Sequence, residues 1–400
     1  MPRFIAGSSN LLLTLLIVIN GLTPSAQNLP SDSLYARQIL KELCGKKYFG
    51  RGYLNNGLDK AAKYLSASLR KFEVKPLFNT GYFQWFDFNV NTFPGKMKVL
   101  LNGKLLKPGE DYILNAGSIG QKGEYKVQKV DSVNYVDRET GPYPLALSVK
   151  EKLTYDVAQK AEPFTIIEIL KGKVEGKSAN LTVDIENKVL TKYVCKNVCG
   201  FIPGKENDDS CIVFSAHYDH LGGMGSANWF PGANDNASGV SMVLNLARYY
   251  HLHPHKYRMV FLFFAGEEAG LLGSKYFTEN QIFDLKKIKF LVNLDLLGTG
   301  EEGITVVNAT EYKWQFELLR KINDENKFLT LVKPRGKAQN SDHYWFSELG
   351  VPCFFIYTMG GIKAYHDVFD KPETLPLTKY KNVIKLLEQF VSELTSGNAK

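Results

Sequence analysis

Cysteine is scarce in this chain: five in 400 residues, Cys44, Cys195, Cys199, Cys211 and Cys353. That is too few for a disulfide scaffold of this size, and the odd count leaves at least one thiol free or paired between chains. Cys195 and Cys199 have no second cysteine pair to complete a sulfur-rich metal site, so in the apolar run 193–202 they read as buried or simply bridged residues. Glycine and proline, 34 and 16, stay near ordinary usage and no repeat period is visible, which excludes collagen-like, low-complexity and solenoid architectures. Charge of one sign is not concentrated either. The 49 basic and 41 acidic residues are interspersed, with only short pairs such as Lys46-Lys47 and Lys286-Lys287. The formal charge of +8 therefore describes a solvated surface, and no nucleic-acid partner is expected. No hydrophobic run is long enough to cross a bilayer, which takes ~18 to 20 residues as a helix, so stable membrane insertion is not expected.

What is present suffices for one or two globular domains, with 44% apolar and 22% charged residues. At the start, Arg3, the apolar run 11–19, and then Asn20, Gly21, Pro24, Ser25 and Ala26 follow the order of a secretory signal peptide. Residues 1–26 are thus expected to be a removed signal, with cleavage after Ser25 or Ala26 and a periplasmic or extracellular destination. Segments 31–43 and 58–72 have the apolar spacing of amphipathic helices. From 80 to 188 the texture turns to alternating strands, including Asn102-Gly103 between apolar pairs, a strong hairpin signal. Within it, 154–161 suggests a helix, and 164–170 and 180–185 suggest strands. From 193 onward strands and helices alternate to a last helix at about 378–394. The expected fold is α/β, a mixed open sheet flanked by helices, built from 27–79 and 189–400 and interrupted by a β-rich inserted domain at 80–188.

The chemistry gathers where apolar strands end. The run 211–216 leads into His217-Tyr218-Asp219, the run 258–265 into Gly266-Glu267-Glu268, and the run 290–294 into Asp295. Between the first two lies Gly232-Ala233-Asn234-Asp235-Asn236-Ala237-Ser238-Gly239, a tight turn before a helix, and Tyr365-His366 follows the strand expected at 351–357. Singly each has a bland explanation: a surface loop, a solvated helix start, a helix cap. Together they do not, because ligands of open α/β sheets bind at the carboxyl ends of the strands and carboxylates crowded there repel without a cation. A mixed histidine and carboxylate set suits Zn²⁺.

The order His217-x-Asp219, Asp235 in its Gly-Ala-Asn-Asp-Asn-Ala-Ser-Gly turn, Glu267-Glu268, Asn-Leu-Asp295 and Tyr365-His366 resembles the co-catalytic two-zinc aminopeptidases of peptidase family M28. The likeness covers roughly 193–394, with 31–72 similar to the family's lead-in helices. It implies two Zn²⁺ per chain, His217 and Asp295 holding one, Glu268 and His366 the other, and Asp235 bridging both. It further implies that Asp219 accepts a hydrogen bond from His217, that Glu267 takes the proton of the attacking water, and that Tyr365 stabilises the oxyanion. The peptide bond Asp235–Asn236 is expected to be cis. Segment 340–346 resembles a loop lining the substrate pocket, which makes Asp342 and His343 substrate-binding candidates. The inserted stretch occupies the slot of a protease-associated domain and reads as a lid or exosite, or as a spacer.

The expected activity is release of N-terminal residues from a peptide substrate. A carboxypeptidase uses the same two-metal core but needs a cationic clamp for the terminal carboxylate. Arg335, in the loop 333–337, is the candidate for that clamp, or else a solvated loop charge. A single-zinc glutaminyl cyclase shares the fold, and the intact Glu267-Glu268 followed by Gly-Leu-Leu-Gly-Ser argues against it. A non-enzymatic ectodomain would have lost ligands, and here each is present.

Overall fold

The run 211–216 folds as the strand Cys211–His217, buried at every position, because it occupies the middle of a nine-stranded mixed sheet. Its neighbours Arg258–Phe264 and Ile288–Leu294 both run parallel to it, and Cys353–Met359 runs parallel to the latter. Antiparallel strands close the two sides: Lys188–Ile202 beyond Arg258–Phe264, and Gly303–Val307 beyond Cys353–Met359. This is a computed structural model describing residues 32–206 and 209–396; the signal peptide expected at 1–26 lies outside the described residues.

Near-continuous apolar strands are what a sheet covered on both faces requires. Alternate side chains accordingly enter two separate cores. Ile212, Phe214, Ala216, Phe261 and Phe263 pack with the helices Asp32–Leu43, Gly57–Lys71, Gly239–Leu252, Lys313–Asn326 and Tyr380–Thr395. Cys211, Val213, Val260, Leu262 and Phe264 face the other way, against Phe277 of Leu272–Glu279 and Phe346 of His343–Glu348. All five cysteines are buried free thiols, so the scarcity of cysteine ends in packing and not in bridges. Among the described residues no helix is long and apolar enough to cross a membrane.

A second sheet of eight strands is drawn from residues between Met97 and Ile185. The Asn102-Gly103 pair joins Met97–Leu101 to Lys104–Leu105, with φ of 47° and 80° at the two turn residues. Positive φ at both positions is what this two-residue turn demands, and Asn and Gly tolerate it. Two expectations change. Phe83–Thr92 pairs with Lys188–Ile202 and so belongs to the larger sheet. Segment 154–161 is not helical but irregular. The Tyr155 backbone N–H donates to the His366 carbonyl at 2.9 Å, and the Ala158 carbonyl accepts from the Asn91 N–H at 2.8 Å where a helix ladder would have given it the Glu162 N–H.

One side chain ties the lead-in helices to the sheet. Arg51, 0% exposed, donates to the carbonyls of Tyr218 (2.9 Å), Pro231 (2.7 Å), Gly232 (2.8 Å) and Asp235 (3.1 Å). Four carbonyls in one buried place need a cationic fork, and the planar guanidinium provides one. Removing it strands those acceptors, each costly to leave unpaired. Arg51→Met is expected to lower the unfolding free energy by about 3 kcal/mol or more, since the bonds lost are charge-assisted. Urea denaturation measures this, and a loss below about 0.5 kcal/mol, typical of an uninvolved surface residue, would show that the guanidinium does not hold the loop.

Candidate metal centre

Strand register sets the site. His217 pairs with Phe264, so the strands Cys211–His217 and Arg258–Phe264 end level. The chain then turns through Gly266, at φ 68°, where an added Cβ would lie 3.0 Å from the Phe88 ring, and presents Glu267 and Glu268. Asp295 follows the neighbouring strand Ile288–Leu294 directly. Asp235 comes from the turn Ala233–Ser238, and His366 from the loop after Cys353–Met359. The Asp235–Asn236 bond is cis.

These groups converge. His217 Nε2 lies 3.3 Å from both Asp235 Oδ1 and Asp295 Oδ2, and 4.0 Å from Glu267 Oε2. His366 Nε2 lies 3.0 Å from Asp235 Oδ2 and 3.1 Å from Glu268 Oε2. Asp235 therefore turns one oxygen to each imidazole. His217, Asp235 and Asp295 form one cluster with metal-binding spacing, and His220, Asp235 and Glu268 form a second that shares Asp235.

His220 was not among the residues expected from sequence. Its Nδ1 bonds Glu268 Oε1 at 2.7 Å and stands 4.0 Å from Asp235 Oδ1. Its signal was its place as the fourth residue of His-Tyr-Asp-His at a strand end. Asp370, also unanticipated, accepts the backbone N–H of Asn234 at 2.8 Å and of Asp235 at 2.9 Å. With Arg51 on the Asp235 carbonyl, both polar groups of that residue's backbone are fixed.

Asp219 differs in detail from expectation. Its carboxylate is 3.7 Å from His217 Nδ1, whereas its own backbone carbonyl is 3.3 Å away. The two carboxylate oxygens accept the N–H groups of Glu267 and Glu268, each at 3.3 Å, so the side chain braces the Glu-Glu turn. Asp342 and His343 are corrected outright. Both are fully buried and neither lines the cleft, because the helix His343–Glu348 starts here and turns them into the body of the protein. His343 packs on Phe355 at 5.3 Å between ring centroids, and burial holds its pKa down to about 3. From segment 340–346 only Asn340 reaches the cleft, a space of about 260 Å³ walled also by His217, Asp235, Glu267, Asp295, Arg335, Tyr357, Tyr365 and His366. Arg335 donates to the Tyr357 hydroxyl at 3.1 Å. Tyr365 stacks on the His366 ring at 4.0 Å and is 43% exposed.

Charge is unevenly matched here. Asp219, Asp235, Glu267, Glu268, Asp295 and Asp342 outnumber His217, His220 and His366 two to one. Burial opposes ionisation of Glu268, yet His366 and His220 hold its pKa at about 2. Asp235, against the same burial penalty, is held well below its ordinary value by His217 and His366. The remaining acids go the other way. Burial pushes Glu267 well up, with Glu268, Asp342 and Asp295 adding to the push. Burial likewise raises Asp295, and takes Asp342 to about 7 with help from Asp219 and Asp295. Surplus carboxyl groups in a dry site are stabilised by bound cations. Imidazole nitrogens beside carboxylate oxygens are the donor set of zinc, and the residues fit that ion.

Residues 197–391 match the family model of peptidase family M28. The chain is 24% identical over 391 residues to an aminopeptidase of Bacillus subtilis, YwaD, across 84% of this chain and 80% of that protein. A solved zinc aminopeptidase from Bacillus subtilis superposes with a TM-score of 0.68 at 20% identity, covering 94% of this chain and 98% of the other. An aminopeptidase from Aneurinibacillus sp. strain AM-1 does so with a TM-score of 0.62 at 18% identity, covering 90% and 93%. The chain carries the α/β fold of the M28-family zinc aminopeptidases, and its two His, Asp and Glu clusters joined through Asp235 match a co-catalytic two-zinc site.

Proposed function

We propose that the protein is a two-zinc exopeptidase that removes N-terminal residues from peptides. The observation that carries this is Asp235, whose two oxygens face His217 and His366 separately, the posture of a carboxylate shared between two metal ions. His217 and Asp295 complete one set of ligands, Glu268 and His366 the other. When bound, two zinc ions polarise the scissile carbonyl and lower the pKa of a water to about 7. Glu267 walls the cleft with an oxygen 4.0 Å from His217 Nε2, and is assigned as the group that accepts the water's proton and passes it to the leaving amine. Tyr365, stacked on the His366 ring in the cleft wall, is assigned as the hydroxyl donor to the negative charge that develops on the carbonyl oxygen. The acidic wall offers acceptors for a free α-ammonium.

The same proposal takes residues 27–79 and 189–400, together with the strand Phe83–Thr92, as the peptidase domain and the eight-stranded sheet within 97–185 as an insert of protease-associated type. It takes the amino terminus as an export signal with a periplasmic or extracellular destination. Export is checked by the mass of the mature chain, which should begin at Ala26 or Gln27; a retained Met1 in a cytosolic fraction would end that part.

Metal analysis is expected to find two zinc ions per chain, with activity abolished by chelation and restored by zinc. Glu267→Gln should keep both ions and lose about 10²- to 10⁴-fold in kcat, whereas Glu268→Ala should lose an ion. Full activity with one zinc, or near wild-type kcat in Glu267→Gln, would overturn the assignment.

Arg335 in the cleft wall is the observation that favours a carboxypeptidase as the second reading. Acetylating the amino end of a good peptide substrate is expected to abolish cleavage, and amidating the carboxyl end to leave it intact. The opposite pattern would make Arg335 the clamp for a terminal carboxylate.

A further inference from the structure

The smaller sheet sends one connection to the metal edge of the larger one. Residues 151–164 join the parallel strands Leu145–Lys150 and Thr165–Leu170. This segment touches both loops that carry Glu268 and His366. Lys152 Nζ donates to the carbonyls of Lys363 at 2.8 Å and Tyr365 at 3.0 Å, and pairs with Asp367 at 3.1 Å. The Tyr155 N–H holds the His366 carbonyl at 2.9 Å, and the Tyr155 ring stacks on Phe230 at 4.8 Å. Gln159 Nε2 donates to the carbonyl of Ala269, next to Glu268, at 2.9 Å. Asp156 Oδ1 lies 3.3 Å from His366 Nδ1, on the side of the ring away from Asp235 and Glu268, which face Nε2.

A histidine ligand commonly donates its second ring N–H to a carboxylate, which fixes the tautomer and the ring's aim. We propose that segment 151–164 is a strap from the inserted sheet that positions the metal centre, with Asp156 as the outer partner of His366. Asp156 accepts the Nδ1 proton, leaving the Nε2 lone pair directed at the site, while Lys152, Tyr155 and Gln159 hold the two ligand loops at a fixed separation. The inserted sheet is then a working part of the centre and not a spacer. Irregular backbone over 154–161 serves this use, since the Ala158 carbonyl accepts from the Asn91 N–H at 2.8 Å and the Glu162 N–H donates to the Gly117 carbonyl at 2.8 Å, where a helix would pair the two with each other. Asp156 is a positioning residue, and the inference rests on the two-zinc reading above.

The test measures zinc affinity on the full chain by competition with a chromophoric chelator, alongside kcat and KM. The Asp156 side chain is 72% exposed, so its replacement leaves the core untouched. Asp156→Ala is expected to weaken one zinc about 10- to 100-fold, to leave the other unchanged, and to lower kcat more than it changes KM. Asp156→Asn, which keeps an acceptor oxygen, should lose less. Glu151→Ala, on the same segment but paired with Lys171, should behave as wild type. Wild-type zinc affinity in Asp156→Ala would overturn the strap, as would equal weakening of both ions or the same loss in Glu151→Ala. A wild-type protein that binds fewer than two zinc ions would instead overturn the two-zinc reading itself.

Discussion

Carboxylates brought together at the ends of apolar strands repel one another unless cations sit among them, and this constraint organises the protein. Six acids crowd three imidazoles here, so with every acid ionised the site would stay negative even if every imidazole were protonated. The split in proton affinity follows from it. Glu268 and Asp235, each against an imidazole, stay ionised, while Glu267, Asp295 and Asp342 are pushed toward protonation by burial and by each other. Bound cations relieve that strain, so the fold and its metal ions are thermodynamically linked.

A cluster this frustrated needs a rigid frame, and the backbone supplies it in an unusual way. The Asp235 residue is gripped from both sides, its N–H by Asp370 and its carbonyl by Arg51. Asp219 takes the two N–H groups of the Glu-Glu turn. Charged side chains thus satisfy loop backbone that belongs to no helix or strand ladder, which is the condition for irregular chain to persist in a dry interior. Without these bonds the shared carboxylate would have no reason to keep one oxygen toward each imidazole.

The two sheets contribute differently. The larger one delivers ligands by register, since parallel strands that end level place their next residues on one edge. The smaller one contributes through the crossover at 151–164, whose contacts fall on the loops around Glu268 and His366. Mobility of those loops would alter the separation of the metal ligands, and lost geometry of even an ångström is costly in catalysis.

Much of this was legible in the amino-acid sequence. The buried strands, the Asn102-Gly103 hairpin, the terminal helix and the acids and histidines at strand ends are local patterns, because periodicity and turn chemistry act over a few residues. What tertiary structure decided depends on neighbours distant in the chain. Arg51, His220 and Asp370 look like ordinary polar residues until folding brings them against the turn around Asp235. Asp342 and His343 share a motif with residues that wall the cleft, yet the start of a short helix turns them inward. Segment 154–161 has helical spacing but is irregular, because the Ala158 carbonyl and the Glu162 N–H, which a helix would pair with each other, are taken by Asn91 and Gly117. Sequence by itself determined which chemistry collects at the sheet's edge. Only tertiary packing determined which nitrogen faces which carboxylate, since the pairing of His366 Nδ1 with Asp156, for one, joins segments some 200 residues apart.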